Sequence, residues 1–552
     1  MRPRAIATRG ALAFAATAIL AACAEDSTAP LTAPDRPTPS LALTASPTSV
    51  QPELPRTFLN TTYVPPTGKI IKVNAGGDLQ AAINAAAPGD VVVIQAGATF
   101  YTKTGYYLPK KSGTGFVTIR TSTSDAYLPV GRRVSPADAA KMPKLVTTSM
   151  SPALRTGNAG ADRYRIIGLE LTASTAVTGA YTLVAIGNGT YQKSAAYVPT
   201  WIILDRVYIH GHSNLNLKRC LGLDGASSAV IDSYLDRCHG RRQDSQAIQG
   251  WNGPGPFKIV NNYLAGAGEV VMFGGADPRI ANLVPGDIEF RRNHVTRPTA
   301  WKDVWTIKNL IEFKNVQRIL LEGNVIENNW AAGQSGMALV WKSVNQLGSC
   351  TWCVVKDVTF RYNKVRRVPG VVNLFSTQGS FTAVKAHRVS VSHNVFDQLD
   401  TLSFTGLNRV FQLGGSLTDV TINHNTVANY PHYLAYFVNG TITRLDMRNN
   451  IAQAGSYGVK GDGSKAGSET LEDFTYSYQF VRNAVVRSAS STVTYPGENY
   501  FPTSTSGIGF VNMVGGNYRL ASTSPYKGKA SDGTDPGANI DLVEQHTAGV
   551  VR

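Results

Sequence analysis

The sequence predicts an all-β fold, a single-stranded right-handed parallel β-helix solenoid. Three observations carry this: a repeat near 31 residues, a β-branched run in each repeat, and an asparagine at a fixed place after each run. The unit reads Lys258-Ile259-Val260-Asn261-Asn262-Tyr263-Leu264, then Ile288-Glu289-Phe290-Arg291-Arg292-Asn293-His294-Val295, then Ile319-Leu320-Leu321-Glu322-Gly323-Asn324-Val325-Ile326. It returns at Asn363, Asn394, Asn425 and Asn450, so the steps between markers are 31, 31, 39, 31, 31 and 25 residues. Weaker copies surround Arg206 and Ser233. A period of this size means one supersecondary unit stacked many times. Apolar residues alternate with period two between Gly, Asn and Asp breaks, which is strand patterning, and no amphipathic helix of ten residues fits between markers. Each marker asparagine is expected at a tight bend, where it tolerates left-handed backbone angles and bonds to the asparagine of the next coil. Stacked coils then bury one apolar column.

Before this body come two short segments. Residues 1–23 read as a lipoprotein signal peptide: Arg2, Arg4 and Arg9 form a basic start, and Ala11 to Leu20 an apolar stretch too short to span a bilayer. The stretch ends in Leu20-Ala21-Ala22-Cys23, which resembles a bacterial lipobox, making Cys23 the expected lipidation site and the membrane an expected partner. Ala24 after the cysteine points to the outer membrane. Residues 24–56, rich in Thr, Pro, Ser and Ala, are expected to be a disordered tether, because they carry too little apolar surface to offset ordering entropy. The β-helix domain is then expected over 57–552.

With Cys23 acylated, Cys220, Cys238, Cys350 and Cys353 remain. An even remainder in an exported chain favours disulfides, paired locally as Cys220–Cys238 and Cys350–Cys353, over a four-thiolate zinc site. The formal charge is +16; without the three signal arginines it is 50 basic against 37 acidic side chains, or +13. Such an excess suits a polyanionic partner, most simply an acidic polysaccharide. No nucleic-acid module or dense basic run is present, so nucleic acid is not an expected partner. A monomer is expected.

The chain resembles the right-handed β-helix superfamily of pectate lyases, alginate lyases and chondroitinase-like enzymes. Leu79-Gln80-Ala81-Ala82-Ile83-Asn84-Ala85 followed by Pro88-Gly89-Asp90 and Val91-Val92-Val93-Ile94 is similar to the superfamily's opening. The resemblance implies a short N-terminal capping helix, a turn and a first strand. The stretch from Tyr518 to Ala538 resembles its closing segment. The resemblance covers roughly residues 68–545 and implies the fold more than the reaction, because this fold hosts lyases, hydrolases, epimerases and non-enzymes.

Alternate residues of a coiled strand face outward and stack into a stripe along the groove. With Ile311, Phe313, Val372 and Leu374 inward, Glu312, Lys314, Asn373 and Gln412 face out, joined by Asp224, Gln249 and Lys342. Trp251, Met272, Trp341 and Phe375 are expected beside them, a mixture that suits sugar faces and hydroxyls. The loops 239–246 and 301–309 bring Arg241, Arg242, Asp244 and Lys308 to the stripe. β-Elimination at a uronate needs the carboxylate neutralised, a base for the C5 proton, and an acid for the leaving oxygen. Lys314, Lys308, Lys342, Arg241 and Arg242 are the catalytic candidates. Gln249, Trp251, Glu312, Trp341, Asn373 and Gln412 are the substrate-binding candidates, and Asp244 with Glu312 is a candidate calcium pair. The expectation is an exported polysaccharide-lyase-like protein of the cell envelope. The alternatives are a non-catalytic glycan-binding adhesin and a glycoside hydrolase, the latter disfavoured because no Asp-Asp pair appears. His210, His212 and His239 fix no third metal ligand by spacing.

Overall fold

The computed structural model describes residues 49–399, 404–429 and 431–552. The signal peptide and Cys23 lie outside them. Each repeat folds into one coil of three short strands, as in Thr200–Asp205, Tyr208–His210 and Asn216–Leu223, before the next coil opens at Ser228–Ile231. Like strands of successive coils pair in parallel and build three sheets, here A, B and C, of 14, 13 and 12 strands. The residue three before each marker is inward: Ile259, Phe290, Leu321, Phe360, Val391, Ile422 and Met447 stand in one register row of sheet A and are all buried. Each such side chain contributes about 1.5–3 kcal/mol by leaving water, so the column is held by repetition of one modest term. The expected capping helix, α1 (Leu79–Ala85), covers the first coil with Leu79 and Ile83, and Asp78 caps it by accepting from the Ala81 N–H at 2.9 Å.

The asparagine ladder forms at the corner between sheets A and B. From Asn262 through Asn293, Asn324, Asn363, Asn394, Asn425 and Asn450, each backbone N–H and each Nδ2 donates to the Oδ1 of the next asparagine, at 2.8–3.2 Å. Nδ2 also donates to a carbonyl of the preceding coil, as from Asn293 to Ile259 O at 2.8 Å. The ladder runs on through Asn483 and Asn499, which the irregular spacing hid. One expectation is corrected: the left-handed residue is the one before the ladder asparagine. Asn261, Arg292, Tyr362, His393, His424 and Asn449 have φ between 52° and 58°, so the bend is taken one position early and the asparagine's amide points inward.

Both ends of the described chain run back along the solenoid. At the ladder corner, Gly537 N–H bonds to Asn449 O at 2.7 Å, the His546 ring stacks 5.0 Å from Tyr362, Arg292 donates to His546 O at 2.8 Å, and Arg133 donates to Val550 O at 2.9 Å. The closing segment, including α3 (Ile540–Thr547), therefore doubles back over several coils. A second helix, α2 (Ser468–Phe474), packs Leu471 and Phe474 on the last strand of sheet C.

At the other end, the expected tether of 24–56 is corrected in its last part, which is held against the solenoid. Residues 49–56 cross the outer face of sheet A. Val50, Glu53 and Arg56 donate their N–H groups to Asp419, Asp357 and Asp287 at 2.8, 3.1 and 2.9 Å. These aspartates alternate coil by coil with Arg318, Arg388 and Arg444, which pair with them at 2.7, 2.5 and 2.6 Å. The fit is metric. Three residues of polyproline-type chain advance about 9.3 Å, close to two strand spacings of roughly 9.6 Å, and Pro52 and Pro55, which lack an N–H, fall between the donors. The arginines and the strap N–H groups hold all three aspartates below the usual carboxylate range, against the opposing effect of burial. A lowered carboxylate adds stability above its unfolded pKa and loses it as pH falls through the native value. Amide protection at Val50, Glu53 and Arg56, taken relative to the intrinsic exchange rate at each pH, should therefore be high at neutral pH and lost well below pH 4, roughly the unfolded aspartate value. Protection that persists at the acid end would contradict this docking.

Candidate active site

The loops that lead into sheet C carry the chemistry. One outward row runs along it in register: Tyr107, Arg155, Ala185, Gly222, Gln249, Met272, Glu312, Val340, Asn373, Gln412, Tyr436 and Lys460. Glu312, Gln249, Asn373 and Gln412 face out as expected, with Lys314 and Lys342 on the same face. Trp341 does not. It shares a register row with Phe313 and Leu374 and is fully buried, its ring 5.8 Å from Phe313. Period two forbids adjacent Trp341 and Lys342 from facing the same way, so the lysine takes the groove and the tryptophan the core. Trp251 is also corrected: it lies beyond its strand, wedged against Gly189, where any Cβ would sit 2.3 Å from the indole. Asp224 is structural, with Oδ1 accepting the N–H groups of Trp251 and Asn252, both at 2.8 Å.

At the centre stands a compact charge cluster. Glu312, 1% exposed, lies 3.5 Å from Lys314 Nζ and 3.7 Å from Lys342 Nζ, and accepts from Asn309 Nδ2 at 3.1 Å. Beside it, Lys308 Nζ bridges Asp244 at 2.5 Å and Glu269 at 3.4 Å, and Gln246 donates to Glu269 at 2.8 Å. The two buried glutamates are driven apart. Burial alone would raise Glu312, but Lys314 and Lys342, with Asn309, hold it down to about 2. For Glu269, burial and then the Asp244 charge prevail over Lys308 and push the carboxyl up to about 7. Burial opposes the charge on Lys308, yet Glu269 and Asp244 hold its ammonium well above an ordinary lysine. Lys308 therefore rests as an ammonium at neutral pH, which removes it as a base and leaves it a proton donor.

Beneath the cluster is a buried support. Arg297, fully buried, donates to Gly268 O at 3.1 Å, Asn309 O at 2.6 Å and Asn329 Oδ1 at 3.0 Å, so one guanidinium ties together the segments bearing Glu269 and Asn309. Asn329 in turn donates to Lys308 O at 3.2 Å.

Other expected residues lie apart from this centre. Arg241 and Arg242 are exposed on the rim: the Arg241 guanidinium sits 5.0 Å from the Trp305 ring, and the Arg242 N–H donates to Thr306 Oγ1 at 2.8 Å. His239 is packed between Trp305 and Trp301, and burial lowers its pKa to about 4, so it is neutral. His210 bonds to Glu170 at 2.9 Å and His212 to Val177 O at 2.9 Å. Among the described residues no group of three His, Cys, Asp or Glu is placed to hold a metal. The carboxylates of the expected calcium pair, Asp244 and Glu312, are each matched to lysine. The disulfides form as expected, Cys220–Cys238 and Cys350–Cys353, in place of a zinc site. Glu269, Asn309 and Arg297 were not found from sequence. Glu269 precedes its strand in a Gly-Ala-Gly-Glu stretch with no alternation, and Arg297 lies 28 residues further on.

The fold and the sheet-C site define a right-handed parallel β-helix protein with a charged groove on one face. Comparison with solved structures finds the same fold in carbohydrate-active proteins. The catalytic unit of a GH87 α-1,3-glucanase from Streptomyces thermodiastaticus is 14% identical, with 81% of this chain and 72% of that one covered and a TM-score of 0.47. The PL6 alginate lyase AlyGC is 12% identical over 88% of this chain and 59% of that one, with a TM-score of 0.37. Pectate lyase Pel9A is 11% identical over 85% of this chain and 96% of that one, with a TM-score of 0.32. No protein-family model and no curated protein matches the sequence.

Proposed function

We propose that this chain is a carbohydrate-active β-helix protein that cleaves an acidic glycan by β-elimination on the outer face of sheet C. The observation that carries the reading is a cluster of three lysines around two buried carboxyls, with Lys314 and Lys342 on an ionised Glu312 and Lys308 beside Glu269, which is pushed up to about 7. Lys314 and Lys342 neutralise the uronate carboxylate, the part calcium plays in the alternative that the sequence raised. The Glu269 carboxylate takes the C5 proton as the C4–C5 double bond forms and the C4–O bond breaks. Lys308 gives a proton to the departing oxygen and regains one from Glu269, 3.4 Å away, so the net transfer is from C5 to the leaving oxygen. Glu269 is 1% exposed, so the sugar must enter by displacing its cover.

The test is ultraviolet absorbance of the unsaturated product with pectate, alginate and glycosaminoglycans, with and without a calcium chelator. The expected result is product on one of these polyanions that survives chelation. Lys314→Ala with Lys342→Ala should cost about 10²-fold or more in kcat/KM, the scale of one lost electrostatic stabiliser. A flat absorbance trace on every polyanion sinks the reading. The two glutamates held at opposite ends of the carboxyl range also support hydrolysis, with Glu269 as acid and Glu312 as its ionised partner. That route yields saturated reducing ends and no absorbance. The two disulfides fit an exported protein, and we propose Cys23 as its lipid anchor. Fatty-acid labelling that is lost in Cys23→Ser is the expected result, and labelling that persists removes the anchor.

A further inference from the structure

A cavity lies away from the sheet-C groove, on the outer face of sheet B. It measures about 610 Å³, inside the span of roughly 300–1,000 Å³ usual for ligand sites. Two adjacent strands, Lys364–Arg366 and Val395–Asp397, floor it with their outward residues, Lys364 paired with Val395 and Arg366 with Asp397. Its cover is the closing segment: the hairpin of Phe510–Asn512 and Asn517–Leu520, together with α3. The cover is seated where Tyr518, Ile540 and Val543 pack with Val395 and Ala428. At the hairpin turn stands Gly516, where an added Cβ would meet nothing within 4 Å, so the space is left open. The polar lining is incompletely satisfied. Asp397 Oδ2 accepts from the Tyr518 hydroxyl at 3.2 Å, but Oδ1 is buried with no donor among the described residues. A carboxylate oxygen left in that state costs free energy that a ligand donor would recover. Burial pushes the Asp397 carboxyl up, as a shortage of donors does. Beside it, the Lys364 ammonium makes no hydrogen bond or ion pair among the described residues and feels Asp397 and Glu544 only through space.

We propose that this cavity is a glycan site separate from sheet C, and that it takes a neutral sugar unit. The charges decide the class. Lys364 and Arg366 are balanced by Asp397 and Glu544 in the lining, so an anion would meet two carboxylates and a cation two basic groups. A neutral sugar escapes both penalties. Its hydroxyls donate to Asp397 Oδ1 and accept from Lys364, and its C–H face lies on the Tyr518 ring and Val395. The site differs in chemistry from the sheet-C groove, where the lysines call for an acidic ligand, and it stands whether or not that groove breaks a bond. Two sites on one solenoid hold a polysaccharide with both kinds of unit more firmly than either alone, because the second contact forms at high effective concentration.

Calorimetric titration of the full chain with glucose, galactose and mannose tests this, with glucuronate, galacturonate, glucosamine and galactosamine as charged counterparts. The proteins are wild type, Asp397→Ala, Lys364→Met and Ala428→Met, the last placing a long side chain in the cavity. Thermal melts confirm that each variant is folded. Binding that Ala428→Met removes is assigned to the cavity, and what remains belongs to sheet C. Wild type should bind one neutral sugar in the cavity, about tenfold or more tighter than the acidic and amino forms bind there. Asp397→Ala and Lys364→Met should each weaken it by about tenfold, the worth of one hydrogen bond to a charged group. Lys364→Met keeps the test decisive if another variant melts early, since that ammonium ties no other part of the fold. No heat with any of the three neutral sugars overturns the site. A neutral-sugar affinity untouched by Lys364→Met and Ala428→Met also overturns it, because the sugar then sits elsewhere. Tighter binding of a uronate or an amino sugar that is lost in Ala428→Met or Lys364→Met overturns the neutral class.

Discussion

Glu269→Gln should lower kcat/KM on the acidic glycan by about 10²–10⁴-fold, the usual span for a lost proton-transfer group, while leaving the protein as stable as wild type or more stable. The two outcomes have one cause. The folded carboxyl sits above its unfolded value, pushed up to about 7 by burial and by Asp244. The native state therefore binds more protons than the unfolded state between roughly pH 4.3 and 7, and ionising Glu269 erodes stability as pH rises through that window. An amide of the same shape carries no charge, escapes that cost, and can still meet Lys308 through its oxygen. Wild-type kcat/KM should fall as pH drops below about 7, because the basic form of Glu269 disappears. The variant should lose that limb. Stopped-assay rates across pH, with melts of both proteins at pH 8, check this. A variant that is inactive only because it melts early would contradict the assignment.

Asn363→Ala should cost about 3–5 kcal/mol of stability, among the largest effects of any single truncation in the body. Asn363 is fully buried. Its Oδ1 accepts from Asn324 N at 2.8 Å and Asn324 Nδ2 at 2.9 Å, and its Nδ2 donates to Leu321 O, Arg361 O and Asn394 Oδ1 at 2.9–3.0 Å. Alanine takes the acceptor from the Asn324 backbone N–H and a donor from Leu321 O and Arg361 O in a place water does not reach. Aspartate should be no better, since it restores the acceptor but sets a carboxylate against Asn394 Oδ1. Denaturant unfolding monitored by far-ultraviolet dichroism measures the loss, and a change within a few tenths of a kcal/mol, the scatter of ordinary surface substitutions, would mean the ladder is not what holds successive coils.

The ladder was legible because its signal is local: one residue type, one place in the unit, one partner a coil away. Asn483 and Asn499 escaped because the last steps depart from the period. Sheet parity was legible too, which placed Glu312, Gln249, Asn373 and Gln412 outward, and the same parity excludes Trp341 once Lys342 is placed. The strap escaped because composition reports apolar surface and not spacing. Its stability comes from backbone N–H groups meeting aspartates at two-coil intervals, which requires knowing that Asp287, Asp357 and Asp419 share a column. Glu269 and Arg297 escaped for a related reason. Neither sits at a patterned position, and each gains its role from a neighbour on another coil: Lys308 for Glu269, Gly268 O and Asn309 O for Arg297. Sequence periodicity gives the coil, while the loops that leave it are joined only by the fold.

The central claim is that an acidic glycan lies along sheet C across Glu312. A crystal structure of Glu269→Gln soaked with an acidic oligosaccharide tests it most directly. The expected result is the sugar chain lying along sheet C, with one uronate carboxylate against Lys314 and Lys342. A chain bound elsewhere with sheet C bare, for instance in the cavity of about 610 Å³ beside Asp397 and Tyr518 on sheet B, would contradict it.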